Sequence, residues 1–216
     1  MTQQNYDKAQ TGLLFIDPYN DFLSEGGKLW PKVASVAAQV NLLDNLRGIL
    51  REVRRIGIKV FIVPHRRWEP GHLATWHHPT PYLITSDQAQ VFAKDSWGGE
   101  WRPDFAPQAG DIVAKEHWGA SGFANTDLDF LLKQHRITQV IVVGLLANTC
   151  VEGTSRYASE LGYHVTLVRD ATAAFSADRM HAAHELNGPT FAHAIVSTSE
   201  LIASLRSADS RAPTAS

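Results

Sequence analysis

VIVVGLLANTCVEGT, residues 140–154, is the stretch whose reading decides the fold. Residues 139–143 are nearly all apolar, which suits a short strand buried on both faces. From about Thr149 the pattern turns helical and runs to Leu161, with Gly162 beyond its end. A doubly buried strand that feeds a helix is one unit of a parallel sheet covered on two sides. The same stretch holds the chain's single cysteine, Cys150, just past the strand and in the first turn of the helix.

Outward from this unit the alternation repeats. Residues 12–16 (GLLFI), 58–63 (IKVFIV), 111–114 (DIVA), 164–168 and 191–196 read as the other strands. Apolar residues at Val33, Val36, Val40, Leu43, Leu46, Leu50 and Val53 recur at helical spacing over 32–56, and Gly57 is placed to end that helix. Further helices fall at 125–135, opened by the capping run Asn125-Thr126-Asp127, at 177–187 and at 199–206. Residues 64–110 show no clear period, and a loop of that length in a compact domain is usually functional or misread. The pattern predicts an α/β chain: a three-layer αβα, Rossmann-like fold around a mostly parallel, six-stranded sheet. A tail at 1–10, one domain over 11–206 and a flexible tail at 207–216 complete the division.

Composition narrows the function classes. The 216 residues are 44% hydrophobic and 19% charged, with a formal net charge of -2, so nothing electrostatic calls for nucleic acid or an anionic membrane. No apolar run approaches the ~20 residues of a membrane span. The opening MTQQNYDKAQ lacks the apolar core of a secretory signal, and one cysteine permits no internal disulfide; both fit a cytoplasmic protein. No GxGxxG follows the first strand, which argues against dinucleotide binding.

In parallel α/β sheets, ligands sit at the carboxyl ends of the strands. That selects Asp17, the loop after Val63, Lys115 and the segment leading to Cys150. Each has an ordinary reading: a lone cysteine is more often a small buried hydrophobe, a lysine beside a strand is a solvated cap, and an aspartate before Pro18 is a turn residue. Their common location changes the balance. A helix N-terminus favours thiolate over thiol, and an ammonium lowers a thiol's pKa while holding a nearby carboxylate ionised. Acid, ammonium and thiol at one end of a sheet form a base, cation and nucleophile set suited to acyl transfer.

Three stretches, LLFIDPYNDF, DIVAKEHWGASGFANTDLDFLL and VIVVGLLANTCVEGTSRYASELGYHVTLVRDATAAF, resemble the isochorismatase-like cysteine hydrolases. That superfamily includes nicotinamidases, N-carbamoylsarcosine amidohydrolases and ureidoacrylate amidohydrolases, and the resemblance runs from about Gly12 to Leu205. It implies Asp17 as general base, Cys150 as nucleophile and Lys115 as the cation that orients both. It also implies a cis peptide between Leu145 and Leu146, and an oxyanion hole made by the N–H groups of Leu146 and Cys150. The implied activity is hydrolysis of a non-peptide C–N bond in a small amide or carbamoyl compound, through a thioester, with no cofactor. Dimers or larger symmetric homo-oligomers such as tetramers are implied as well. Members that cleave the vinyl ether of isochorismate lack this cysteine, so that chemistry stands second, beside a catalytically silent small-molecule-binding homologue.

Two departures bear on the pocket. Family members carry Ser-(Ala/Gly)-Phe about four residues after the lysine, whereas Ser121-Gly122-Phe123 begins six after Lys115 and leaves Trp118 and Gly119 in an enlarged loop. Nicotinamidases place an Asp and several His as metal ligands after the second strand. Here VPHRRWEPGHLATWHHP supplies His65, His72, His77 and His78, lacks the Asp and is interrupted by two arginines, so no metal is assigned. His65 is the candidate for substrate contact, and Arg66 or Arg67 for a substrate carboxylate. Phe22, Trp97, Trp118 and Tyr157 are candidates for pocket lining, with core filling equally open to the tryptophans.

Overall fold

A computed structural model describes residues 6–211. Six strands, β1 (Thr11–Ile16), β2 (Lys59–Val63), β3 (Ile112–Val113), β4 (Gln139–Leu145), β5 (His164–Ala173) and β6 (Ala194–Val196), form one sheet in the order β3-β2-β1-β4-β5-β6. Every pair is parallel, so the predicted architecture holds. The helices are α1 (Asn20–Leu23), α2 (Trp30–Gln39), α3 (Leu42–Ile56), α4 (Pro81–Gln88), α5 (Leu128–Gln134), α6 (Glu152–Glu160), α7 (Ala177–His181) and α8 (Thr198–Arg211). The chain starts in the middle of the sheet, runs out to one edge through β2 and β3, and returns beside β1 as β4. The winding therefore reverses between β1 and β4, which is where such sheets open a crevice at the carboxyl ends of their strands.

Strand alternation sorts the core into two layers. Leu13 and Phe15 of β1 pack with Val33 and Val36 of α2, Leu46, Ile49 and Val53 of α3, and Leu201 and Leu205 of α8. Leu14 and Ile16 face the other way, against Leu128 and Leu132 of α5 and Ala158 of α6. Each buried leucine or isoleucine of this kind contributes roughly 1.5–3 kcal/mol of transfer free energy.

The single helix expected over 32–56 is two. Asn41 takes a φ of 53°, a left-handed conformation that asparagine tolerates better than most residues. The Asn45 amide donates to the carbonyl of Val40 at 2.8 Å and to that of Asp170 at 2.9 Å. It thus satisfies a carbonyl freed by the break and ties α3 to β5. Helical periodicity survives such a break, because both pieces bury the same face. The tails are also shorter than expected. Tyr6 is buried with its hydroxyl 3.4 Å from Thr166 Oγ1, and α8 continues to Arg211; positions 1–5 and 212–216 lie outside the described residues.

Gly144 fixes the closest approach at the switch point. Its φ is 110°, and a Cβ there would collide with the carbonyl oxygen of Ile16. The segment 64–110, expected to be aperiodic, contains α4 and is otherwise organised by side chains. Tyr19 stacks between Phe92 (4.7 Å) and Trp101 (4.8 Å), and the Asp21 carboxylate accepts the N–H groups of Lys28 at 2.9 Å and Phe92 at 2.7 Å. No described helix is long and apolar enough to cross a membrane.

Candidate active site

Asp17 ends β1 with a φ of 53°. Its N–H extends the β1–β2 ladder to the carbonyl of Val63 at 3.1 Å, and its own carbonyl accepts the Tyr19 N–H at 2.7 Å. This turn aims the carboxylate across the strand ends, where it is fully buried. His117 Nε2 lies 3.1 Å from Asp17 Oδ1, and neither side chain is exposed. The other carboxylate oxygen, Oδ2, is buried without a hydrogen-bond partner.

His117 stands where Lys115 was expected, and the ladder between β2 and β3 explains the difference. Ala114 N–H donates to Ile62 O, and the next ladder bond runs from His117 N–H to Pro64 O, each at 2.9 Å. Three steps on one strand match two on the other, so residues 115 and 116 contain a bulge. Lys115 is turned out and exposed, with its backbone N–H on Asp127 Oδ1 at 2.7 Å. Glu116 is drawn to Arg67 at 2.7 Å. Arg66 N–H then closes on His117 O at 2.8 Å, which locks the imidazole over Asp17.

Cys150 sits 3% exposed in a π-helical turn, Ala147–Val151, whose last residue donates its N–H to Leu146 O at 3.1 Å. The sulfur, His117 nitrogen and Asp17 oxygen all lie within 4.8 Å of one another. The peptide between Leu145 and Leu146 is cis, where the resemblance put it, and the Leu146 N–H donates towards the sulfur. The expected preference for thiolate is reversed: burial, and then the Asp17 charge, hold the thiol well above its ordinary pKa, outweighing the Thr149 hydroxyl and the Leu146 N–H. His117 is pulled down by burial, but the charge and hydrogen bond of Asp17, helped by the Gly119 carbonyl, leave it net above its usual value. The thiol therefore holds its proton more firmly, and the imidazole takes one up more readily, than either would in water.

Residues 11–200 match the family model described as the isochorismatase domain. The chain belongs to the isochorismatase family. Among relatives of this isochorismatase-domain chain, the ureidoacrylate amidohydrolase RutB of Yersinia enterocolitica is 30% identical over 200 residues, covering 86% of this chain and 85% of that one. RutB of Caulobacter vibrioides is 28% identical over 197 residues, covering 86% of each. The crystal structure of N-carbamoylsarcosine amidase from Thermoplasma acidophilum superposes with a TM-score of 0.62 at 25% identity, over 88% of this chain and 96% of that one. A cysteine hydrolase from Pseudomonas syringae pv. phaseolicola shares the fold with a TM-score of 0.74 at 24% identity, over 96% and 100%.

Against the family pattern, the six-residue gap from Lys115 to Ser121 is a shift of the cation rather than an enlarged loop. Counting back four residues from Ser121 lands on His117, so the spacing in the sequence already carried the signal.

A cavity of about 420 Å³ lies nearby; Asp17, His117 and Cys150 are not in its lining, and His65 and Tyr82 stand between it and them. His65 lines it, with its ring 5.1 Å from that of His117. Tyr82, at the start of α4, lines it too; it is 44% exposed, and partial desolvation, then the nearby Cys150 and Asp17, raise its phenol's pKa. Arg66 and Trp118 also face the cavity, the guanidinium 4.0 Å from the ring centre. Lys32 and Arg179 add two more cations, 5.8 and 5.7 Å from the ring centre of Phe175. Sequence reasoning missed Tyr82, Lys32 and Arg179, which come from segments with no motif of their own.

Three of the lining candidates are placed elsewhere. Phe22 is buried in the core against Phe92 at 5.0 Å. Trp97 is 49% exposed, and Tyr157 is exposed on α6, stacked on Phe123 at 5.8 Å. Arg67 is a clamp between loops, bonded to Glu116 and to Gly99 O at 2.8 Å. The four tract histidines do not converge. His65 bonds the Arg66 carbonyl at 2.9 Å, and His72 accepts the Glu69 N–H at 3.1 Å. Among the described residues, the group with converging ligand atoms is Asp17, His117 and Cys150.

Proposed function

We propose that Cys150 is the nucleophile, Asp17 the proton carrier and His117 the fixed cation of a hydrolase acting on a C–N bond of a small amide or carbamoyl compound. The observation that carries this reading is the convergence of the three buried side chains at the β1/β4 switch point. Asp17 takes the thiol proton as the sulfur attacks the carbonyl carbon. The tetrahedral oxyanion accepts the N–H groups of Leu146 and Cys150. As the C–N bond breaks, Asp17 returns the proton to the departing ammonia or amine and leaves a thioester. Water then gives a proton to Asp17 and adds to the thioester, and collapse expels the thiolate, which regains that proton. His117 keeps its charge throughout, because one ring nitrogen serves the Gly119 carbonyl and the other Asp17.

The substrate carries a carboxylate. Arg66, Lys32 and Arg179 give the cavity wall three cations against the single carboxylate of Asp87, and ureidoacrylate and N-carbamoylsarcosine, for which the relatives are named, are both carbamoyl acids. The enzyme works in the cytoplasm as a homo-oligomer, with a catalytic domain that includes 11–206 and extends to Tyr6 and Arg211. The test is ammonia release over a panel of carbamoyl acids and amides by the intact chain and by Cys150→Ala. Turnover by the parent, with mass-spectrometric trapping of an acyl adduct on Cys150, supports the reading. Equal turnover by a folded Cys150→Ala variant refutes it.

A further inference from the structure

The exchange of an ammonium for an imidazole changes what the three groups bind. A lysine at this place gives up its proton only far above neutral pH. His117 gives up its Nε2 proton much more readily, and the lone pair this exposes has a fixed direction. Nδ1 lies 2.7 Å from the Gly119 carbonyl, so it carries the proton it donates there and leaves Nε2 facing Asp17 and Cys150. A backbone carbonyl behind one ring nitrogen is the arrangement that orients metal-binding histidines. Asp17 Oδ2 is buried beside it with no partner.

We propose that Asp17, His117 and Cys150 form a binding site for a zinc-type divalent cation, which holds the hydrolase in an inactive state. The donors are one carboxylate oxygen, one imidazole nitrogen and one thiolate, a set that suits a borderline-soft ion. Zinc–ligand bonds of about 2.0–2.3 Å in tetrahedral geometry put donors roughly 3.2–3.7 Å apart. The three donors here already lie within 4.8 Å of one another, with the nitrogen and oxygen at 3.1 Å, so closing on an ion needs only side-chain adjustment. On binding, the thiol proton and the Nε2 proton leave to solvent. The two anionic ligands then balance the charge of the ion, and water completes the fourth position. The cavity beside His65 and Tyr82 is the entry path. Loss of activity on binding rests on the catalytic reading above, because the ion takes the sulfur lone pair and the Asp17 oxygen together; the binding itself does not rest on it.

The experiment is equilibrium dialysis of the chelator-treated full chain against Zn²⁺, with metal analysis, and optical titration with Co²⁺. One ion per chain is expected, together with a thiolate-to-cobalt charge-transfer band in the near ultraviolet. Cys150→Ala and His117→Gln should each weaken Co²⁺ binding at least a hundredfold, and His117→Lys, which keeps a cation in place, should do the same. A His77→Gln, His78→Gln double variant should bind as the parent does. Circular dichroism of each variant checks its fold. Absence of the thiolate band, or Co²⁺ affinity unchanged in both Cys150→Ala and His117→Lys, overturns the proposal. The two readings separate cleanly: a chain that binds no ion yet loses turnover in Cys150→Ala fails only this one. A chain that binds the ion through Cys150 yet keeps full turnover in Cys150→Ala fails only the catalytic one.

Discussion

His117 and Asp17 meet at 3.1 Å, Nε2 to Oδ1, with both side chains closed to solvent. A buried pair of this kind stands or falls as a unit, because removal of one partner leaves the other charge uncompensated. His117 is raised above its ordinary value of about 6.5. The sign follows: the pair's contribution to stability is full below about 6.5 and is lost as pH rises through the raised folded-state value. If the imidazolium is the cation of catalysis, kcat/KM falls along the same alkaline limb. His117→Lys should move that limb to higher pH while retaining turnover, and His117→Ala should lose about 10²–10⁴-fold on the acid side of the limb. A limb that stays in place in His117→Lys would separate it from residue 117.

The resting thiol is protonated, held so by burial first and Asp17 second. Alkylation by iodoacetamide should therefore be slow at neutral pH and accelerate only above the usual thiol range. Asp17→Asn removes the second of these causes. It should speed alkylation at neutral pH several-fold while cutting turnover by about 10²–10⁴-fold. Opposite movement of labelling and catalysis in one variant is the signature of a base that also suppresses the thiolate. Parallel loss of both would instead mean that the site has collapsed.

The switch-point crevice, Asp17 and Cys150 were legible in the sequence because each sits at a strand exit that follows an unbroken apolar run. Lys115 misled for a physical reason. It is the first polar residue after a strand, and periodicity carries no mark of a β-bulge that adds one residue before the chain turns inward. The spacing back from Ser121 did carry that mark. Phe22 on the short α1 and Trp97 in the aperiodic segment show the opposite limit: an aromatic residue outside a long periodic run fills the core or faces solvent according to contacts made far along the chain. Tyr82 and Arg179 reach the cavity from α4 and α7, and only the folded arrangement of those helices brings them there.

Gly144 links stability to the site. Its φ of 110° and the absence of room beside the Ile16 carbonyl leave no place for a methyl group between β1 and β4. Gly144→Ala should cost more than about 1 kcal/mol, the range in which Ala at positive φ begins to destabilise. It should also lower turnover in the protein that remains folded, because Asp17 follows Ile16 directly. Urea denaturation with parallel activity measurements checks both. Turnover at the parent's level in a destabilised variant would show that the strand spacing and the site are independent.

Charge in the cavity gives the sharpest handle on substrate. Lys32 on α2 and Arg179 on α7 lie 5.8 and 5.7 Å from the ring centre of Phe175, on a cavity wall shared with Tyr82. On the proposed reading, the carboxylate of a substrate held at Cys150 pairs with these two cations of the cavity wall. Arg179→Gln should raise KM for a carbamoyl acid about tenfold, roughly 1.4 kcal/mol, and leave kcat little changed, because the contact is remote from the bond that breaks. Lys32→Gln should behave alike, and the double variant should lose more than either. For a neutral amide of the same shape, neither substitution should matter, since no anion is present to pair. Steady-state kinetics on a matched acid and carboxamide would decide it: equal KM changes for both would remove the carboxylate from the account and leave Lys32 and Arg179 as solvated rim residues.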